Sequence, residues 1–328
     1  MNGLLERDSA PRACPWSFIP NEVPKNMTKF LKPKLIVIVG QTATGKSALA
    51  IDLAKKFQGE IVSADSRQVY RGLDIGTGKI SRREMQGVPH HLLDVANPKK
   101  VFTIHDYMVL AEQAIADILK RKHVPCIVGG TGFYVEAIVD GTIFPSVKPN
   151  HALRKRLGQE SLEKLWKRLC ELDPDRAKTI DPHNKRRLIR AIEIAETLGT
   201  VPRVKKVKKY DPLFIGLIEK NLPEKIKSRL KKRLAQGLIR EMKRLHTSGL
   251  SYRRMDALGL EYRFGARYLQ KKLTYKEFVE NLERAIVKYA KRQKTWFTRD
   301  KRIHWFDPTC DKKRIMALVQ EFLADGKS

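Results

Sequence analysis

The stretch Lys34 to Ser47, KLIVIVGQTATGKS, restricts this chain more than any other. An aliphatic run from Leu35 to Val39 leads into Gly40-Gln41-Thr42-Ala43-Thr44-Gly45-Lys46-Ser47, which has the spacing G-x-x-x-x-G-K-S. Apolar residues at helical spacing follow at Ala48, Leu49, Leu53 and Phe57. A continuous aliphatic run ending in glycine reads as a strand buried on both faces, and the pattern after it as an amphipathic helix. Between them, a Gly-rich turn can aim successive backbone N–H groups, here those of Thr42 to Ser47, at one anion. The helix start at Gly45 adds positive potential. Lys46 supplies a mobile cation, and the Ser47 hydroxyl can contact a bound Mg²⁺. The fold class that follows is α/β, with the P-loop set in a parallel sheet core. The loop implies that a phosphate is held, not that it is transferred.

Size and charge narrow the class. The 328 residues can bury one large core or two modest ones. No apolar run reaches the ~18 residues of a membrane span. Cys14, Cys126, Cys170 and Cys310 are scattered and form no C-x-x-C pair, so neither a zinc site nor a disulfide framework is expected, and a reducing cytoplasm fits. Residues 1–33 are proline-rich and carry Glu6, Asp8 and Glu22 without an apolar centre. They read as a flexible N-terminal arm, not as a targeting leader. The net charge is +30, from 66 basic and 36 acidic residues. Residues 1–150 hold 20 basic and 14 acidic side chains, and residues 151–328 hold 46 and 22. So uneven a surplus implies a polyanionic partner, with nucleic acid ahead of an anionic membrane.

Further along, Glu60 to Ser63 reads as a short strand that ends at Ala64-Asp65-Ser66-Arg67-Gln68. Ligands of open α/β sheets gather at the carboxyl ends of strands, so Asp65 is the first catalytic candidate. A helix cap or a water-mediated Mg²⁺ contact is its competing role. His90-His91 lies on a strand, where neighbours point to opposite faces, so packing and one polar contact are expected before a metal site. Thr103 to Lys122 reads as a helix. The strand Val124 to Val128 stops at Gly129-Gly130-Thr131-Gly132, which would let backbone approach a ligand or form a tight turn, and would put the Thr131 hydroxyl beside the phosphate site.

From residue 146 to 210 the pattern is helical and basic, an insertion on the α/β core formed by 34–145 and 211–328. His183 to Leu198 is a helix with Arg186, Arg187 and Arg190 near its start, where cations oppose the helix dipole and so suggest an outside partner. Glu224 to His246 reads as one long helix carrying Arg229 and Arg233. Tyr275 to Phe297 is a final long helix, whose end interleaves basic residues with aromatics as an RNA surface would.

These residues together resemble the tRNA dimethylallyltransferase family. The similarity runs from about Lys34 to Asp307 and rests on GQTATGKS (40–47), DSRQVYRGLDIGTGK (65–79), HHLLD (90–94), GGTGFY (129–134), RRLIRAIEI (186–194), RLKKRLAQGLIREM (229–242) and YAKRQKTWF (289–297). The resemblance implies transfer of a dimethylallyl group from dimethylallyl diphosphate, bound with Mg²⁺, to N6 of adenosine 37 beside a tRNA anticodon. It implies a P-loop, kinase-like α/β core with a helical insertion that clamps the tRNA, a general base at Asp65, a hydroxyl near the diphosphate at Thr131, and a diphosphate-binding arginine at Arg229. Asp65, Ser66, Arg67, Gln68 and Thr131 would meet the flipped adenosine, and Arg154, Arg186, Arg187, Leu188, Ile189 and Arg190 the rest of the tRNA. A cytoplasmic monomer is expected. The sequence departs from the family where Gly259-Leu260-Glu261-Tyr262-Arg263 replaces a common G-Y-K-E, which bears on tRNA contacts there. The competing readings are a P-loop kinase of a nucleoside or small metabolite, an RNA-binding protein with a nucleotide switch, and a prenyltransferase acting on free adenylate.

Overall fold

The computed structural model describes residues 32–325. The N-terminal arm expected at 1–33 lies outside that range except for its last two residues. The strands in chain order are β1 (Lys34–Gly40), β2 (Gly59–Ser63), β3 (His90–His91), β4 (Val124–Gly129), β5 (Thr142–Ile143), β6 (Lys205–Lys206), β7 (Asp211–Leu217) and β8 (Ile303–Phe306). Six of them form one sheet in the order β3-β2-β4-β1-β7-β8, and every pairing is parallel. β1 lies inside it, with Leu35 to Val39 wholly buried, as an aliphatic run covered on both faces must be.

Parallel strands need crossovers, and helices supply them. They are α1 (Lys46–Lys56), α2 (Arg82–Met85), α3 (Ile104–Lys120), α4 (Gly132–Val139), α5 (His151–Leu157), α6 (Leu162–Leu172), α7 (Pro174–Thr179), α8 (Lys185–Leu198), α9 (Leu222–Ala235), α10 (Leu238–Thr247), α11 (Tyr252–Leu258), α12 (Leu260–Leu269), α13 (Tyr275–Phe297) and α14 (Lys312–Ala324). One sheet face packs on α1 and α14 through Ile36, Ile38, Leu53, Ile315 and Val319. The other packs on α3 and α4 through Val37, Val39, Tyr107, Ile115 and Ile138. Helices α9 to α13 share a further core with Val69, Tyr70 and Leu73, the segment that follows β2. Helices α5 to α8 have their own small core of Leu157, Leu165, Leu169, Leu188 and Ile192. β5 and β6 pair antiparallel where the chain enters and leaves those helices. Among the described residues no helix is long and apolar enough to cross a membrane.

The helix expected over Glu224–His246 is two helices. Gly237, at φ 99°, breaks it between α9 and α10, a conformation that L-residues with a Cβ avoid. The α3 boundary is set by Thr103, whose hydroxyl and Asp106 form a capping box. Lys205 and Lys206, near the end of the 146–210 segment expected to be helical, form strand β6 instead, and Lys206 pairs with Asp140 at 2.7 Å.

Candidate active site

The sheet order brings three strand ends together. β4 lies between β2 and β1, so the loop after β2 (Asp65 to Gln68) and the loop after β1 (Gln41 to Ser47) flank Gly129-Gly130. A cavity of about 500 Å³ opens there. Its wall includes Thr42 to Ala48, Asp65, Gln68, Thr77, Gly78, Gly129 and Gly130, with Lys225, Ser228, Arg229 and Lys232 of α9 and Tyr289 and Gln293 of α13. Asp65 and the Lys46 loop therefore share one cavity.

The Gly-rich turn takes its shape from two left-handed residues, Ala43 at φ 65° and Gly45 at φ 84°. The Thr44 hydroxyl donates to the Gln41 carbonyl at 2.9 Å, and Lys46 Nζ folds back onto the same carbonyl. Gln293, buried in α13, staples the turn to the sheet. Its Oε1 accepts the Thr42 N–H at 2.8 Å, and its Nε2 donates to the Gly130 carbonyl at 2.8 Å. Gln41 Nε2 donates to the Ala290 carbonyl at 3.1 Å. The Thr42 N–H, expected among the anion donors, is thus committed to Gln293. Gly130 makes room for the staple, because a Cβ there would sit 2.2 Å from Gln293 Nε2. The sequence reading took this end of α13 as an RNA surface and missed Gln293. The signal was present: a polar residue falls in register with Phe278, Leu282, Ile286, Ala290 and Phe297, all buried.

Cations converge on the same space. Arg229 Nη1 donates to the Thr42 hydroxyl at 3.4 Å. Burial, then repulsion from Arg233, lowers its pKa to about 10. Arg233 is itself buried against Glu261, 2.9 Å away, and burial raises the Glu261 carboxyl above its usual value despite that partner. Glu241, also buried, accepts the N–H groups of Asp74 at 3.0 Å, Ile75 at 2.7 Å and Gly76 at 3.0 Å, and the Tyr262 hydroxyl at 2.8 Å. Glu261 and Tyr262, from the segment that departs from the family pattern, thus belong to a buried network that holds the loop carrying Thr77 and Gly78.

The Lys46 ammonium is strongly disfavoured by its surroundings. Burial first, then the Arg229 charge, brings its pKa down to about 7, against an opposing pull from Asp65. A seated anion favours the charged form and raises that value again. Binding then takes up a proton at any pH between about 7 and the raised value. Affinity falls as pH rises through that window, by up to about tenfold per pH unit. Titration calorimetry with inorganic diphosphate near pH 8, in buffers of different ionisation enthalpy, should record proton uptake. Zero uptake would take Lys46 out of the anion seat.

In the same cavity lining, Asp65 Oδ1 accepts the Arg67 N–H at 2.8 Å and the Gln68 N–H at 3.3 Å. This is an Asx turn that fixes the carboxylate. No helix starts there, so the competing helix-cap role is replaced by this turn. Thr131 departs from expectation: its hydroxyl oxygen accepts the Ser66 N–H at 3.0 Å, and the residue is not part of the cavity wall. It braces the Asp65 loop instead of reaching the phosphate seat. His91 Nε2 shares a hydrogen bond with Glu60 Oε2 at 2.6 Å, and His90 Nδ1 one with the Val88 carbonyl at 2.8 Å.

The residues expected to contact an RNA divide into three groups. Arg186 and Arg187 are exposed on α8. Arg154 and Arg190 remain partly exposed, but both pair with buried Glu193, at 2.6 Å for Arg154 Nη2 and through Nη1 for Arg190. Arg190 thus has its partner inside the protein, contrary to the outside partner expected for it. Leu188 is wholly buried in the α5–α8 core, which rules out a side-chain contact with RNA, and Ile189 packs against that core.

A doubly covered parallel sheet, a Gly-rich anion seat after an inner strand and the Asp65 carboxylate in the same cavity define a P-loop α/β protein built to act on a phosphorylated ligand. Comparison with known proteins makes this specific. The IPP transferase family model matches residues 68–300, and the chain belongs to that family. It is 41% identical over 298 residues to tRNA dimethylallyltransferase 2 of Shewanella sediminis, covering 89% of this chain and 98% of that protein. It is 40% identical to tRNA dimethylallyltransferase of Anoxybacillus flavithermus, over 85% of this chain and 91% of the relative. Among solved structures, the tRNA isopentenylpyrophosphate transferase of Bacillus halodurans matches with a TM-score of 0.68 at 36% identity, covering 89% and 96% of the two chains. A eukaryotic dimethylallyltransferase acting on tRNA matches with a TM-score of 0.76 at 26% identity, covering 89% and 80%.

Proposed function

We propose that this chain transfers the dimethylallyl group of dimethylallyl diphosphate to N6 of adenosine 37, beside the anticodon of tRNA, and releases diphosphate. The observation that carries the reading is the one cavity lined by both the Lys46 loop and Asp65. An exocyclic adenine amine is a weak nucleophile because its lone pair is delocalised into the ring. It gains strength as Asp65 accepts its proton while the N–C bond forms. The C–O bond to diphosphate breaks at the Lys46 loop, where the remaining loop N–H groups, Lys46 and Arg229 take up the developing charge. The purine must leave its stack to reach this space.

A hard divalent cation, Mg²⁺ by preference, fits the site. The Ser47 hydroxyl lines the cavity at the start of α1, and a cation that keeps several waters needs few protein oxygens beside those of the diphosphate. When bound, it neutralises diphosphate charge as the leaving group departs. Arg186 and Arg187, with the basic 146–210 segment, hold the tRNA backbone. Thr131, Ser66, Arg67 and Gln68 position the adenosine. The protein works as a monomer in the cytoplasm.

The test is incubation with labelled dimethylallyl diphosphate and tRNA, with AMP as a second acceptor. Label in the tRNA at adenosine 37 and none in AMP is expected. Label moving from ATP to a small acceptor, with none from the prenyl donor to RNA, would replace this reading with the kinase one. The basic half carries a further prediction. If six or more phosphates are engaged, tRNA affinity should fall by about 10³-fold or more between 50 and 200 mM salt. A flat dependence measured by filter binding would contradict the role given to residues 146–210.

A further inference from the structure

We infer that Phe133 is a stacking platform for the RNA base immediately next to the adenosine that enters the cavity, an inference that rests on the function proposed above. Phe133 is the second residue of α4. Its neighbours Tyr134 and Val135 turn into the core, whereas Phe133 is 44% exposed. So large an apolar ring on a surface helix has no role in packing the core. Among the described residues its one aromatic contact is with Phe144, at a centroid distance of 5.6 Å and an interplanar angle of 65°. An edge-to-face pair fixes the rings yet leaves a π-face free for a third ring.

The location selects the occupant. Two residues before Phe133, Thr131 holds the Ser66 N–H at 3.0 Å, next to Asp65. The Trp296 ring packs directly against Gly132. Phe144 directly follows β5, where the chain leaves the core for the basic helices α5 to α8. The aromatic pair thus joins the segment that braces the Asp65 loop to the point where the chain leaves for the basic helices. When one purine swings out of a single-stranded loop, its neighbour loses a stacking partner and presents a bare face. An exposed phenyl ring two residues beyond the hydroxyl that braces the Asp65 loop can replace that partner, as aromatic side chains do when they bind unpaired bases.

The experiment compares Phe133→Leu, which keeps apolar bulk without an aromatic face, with Phe133→Tyr, which keeps the face. In steady-state prenylation of an anticodon stem-loop RNA, Phe133→Leu should raise the KM for RNA about tenfold. The KM for the donor should move less than twofold, and Phe133→Tyr should stay near wild type. In parallel, 2-aminopurine is placed on either side of the target adenosine. Wild type and Phe133→Tyr should quench one of the two labels, and Phe133→Leu should not. An unchanged RNA KM and unchanged quenching in Phe133→Leu, with wild type active on RNA, would overturn this inference alone. A wild-type protein that never prenylates the RNA would instead overturn the proposed function.

Discussion

Asp65→Asn is expected to lower dimethylallyl transfer by about 10²- to 10⁴-fold, the range that a lost general base commonly costs. Asparagine suits the test because of what it keeps. Its Oδ1 can still accept the Arg67 and Gln68 N–H groups now held at 2.8 and 3.3 Å, so the loop after β2 retains its turn. Only the charge and the proton acceptor are removed. Alanine would delete the turn as well and mix the two effects. One further consequence needs control. The Asp65 charge supports protonation of Lys46, so the variant should hold its donor less well above neutral pH. Single-turnover rates with saturating donor at pH 6.5 isolate the chemical step, and filter binding checks that tRNA affinity stays within about twofold. Turnover close to wild type under those conditions would end the assignment of Asp65 as base.

The phosphate seat was legible because its signal is local. Leu35 to Ser47 encodes strand, turn and helix within one window, and the parallel sheet then places Asp65 beside it through the general rule for strand ends. Features that depend on distant segments were not legible. Gln293 touches Thr42 across 251 positions of sequence, and nothing near either residue announces the other. Arg154 and Arg190 looked like free cations because Glu193, which holds both, appears in the sequence only as one more acidic residue of α8. Thr131 was placed correctly at the strand end, yet a hydroxyl there can face either loop, and the choice is made by the Ser66 N–H. The split at Gly237 was locally visible, but a basic helical pattern on both sides masked it.

Glu241→Ala should destabilise the protein by about 4 kcal/mol, since the buried Gly76 N–H and Tyr262 hydroxyl, each worth about 1–3 kcal/mol when orphaned, and the part-buried Asp74 and Ile75 N–H groups lose their acceptor at once. The carboxylate is 4% exposed, so bulk water cannot simply take its place. Tyr262→Phe removes only the hydroxyl donor and should cost about 1 kcal/mol. Urea midpoints at constant m-value measure both. Glu241→Gln links the stability effect to function. An amide offers one acceptor oxygen where the carboxylate offers two, and the NH₂ group would face the N–H groups of Asp74 and Ile75, or that of Gly76. The loop must then shift, and Thr77 and Gly78 on that loop line the donor cavity, with the Gly78 carbonyl 3.5 Å from Arg229 Nη2. The folded variant should therefore show a raised KM for the prenyl donor. A stability loss under about 1 kcal/mol in Glu241→Ala would mean that this loop is held by its own turns, and that the buried carboxylate does not organise the diphosphate side of the site.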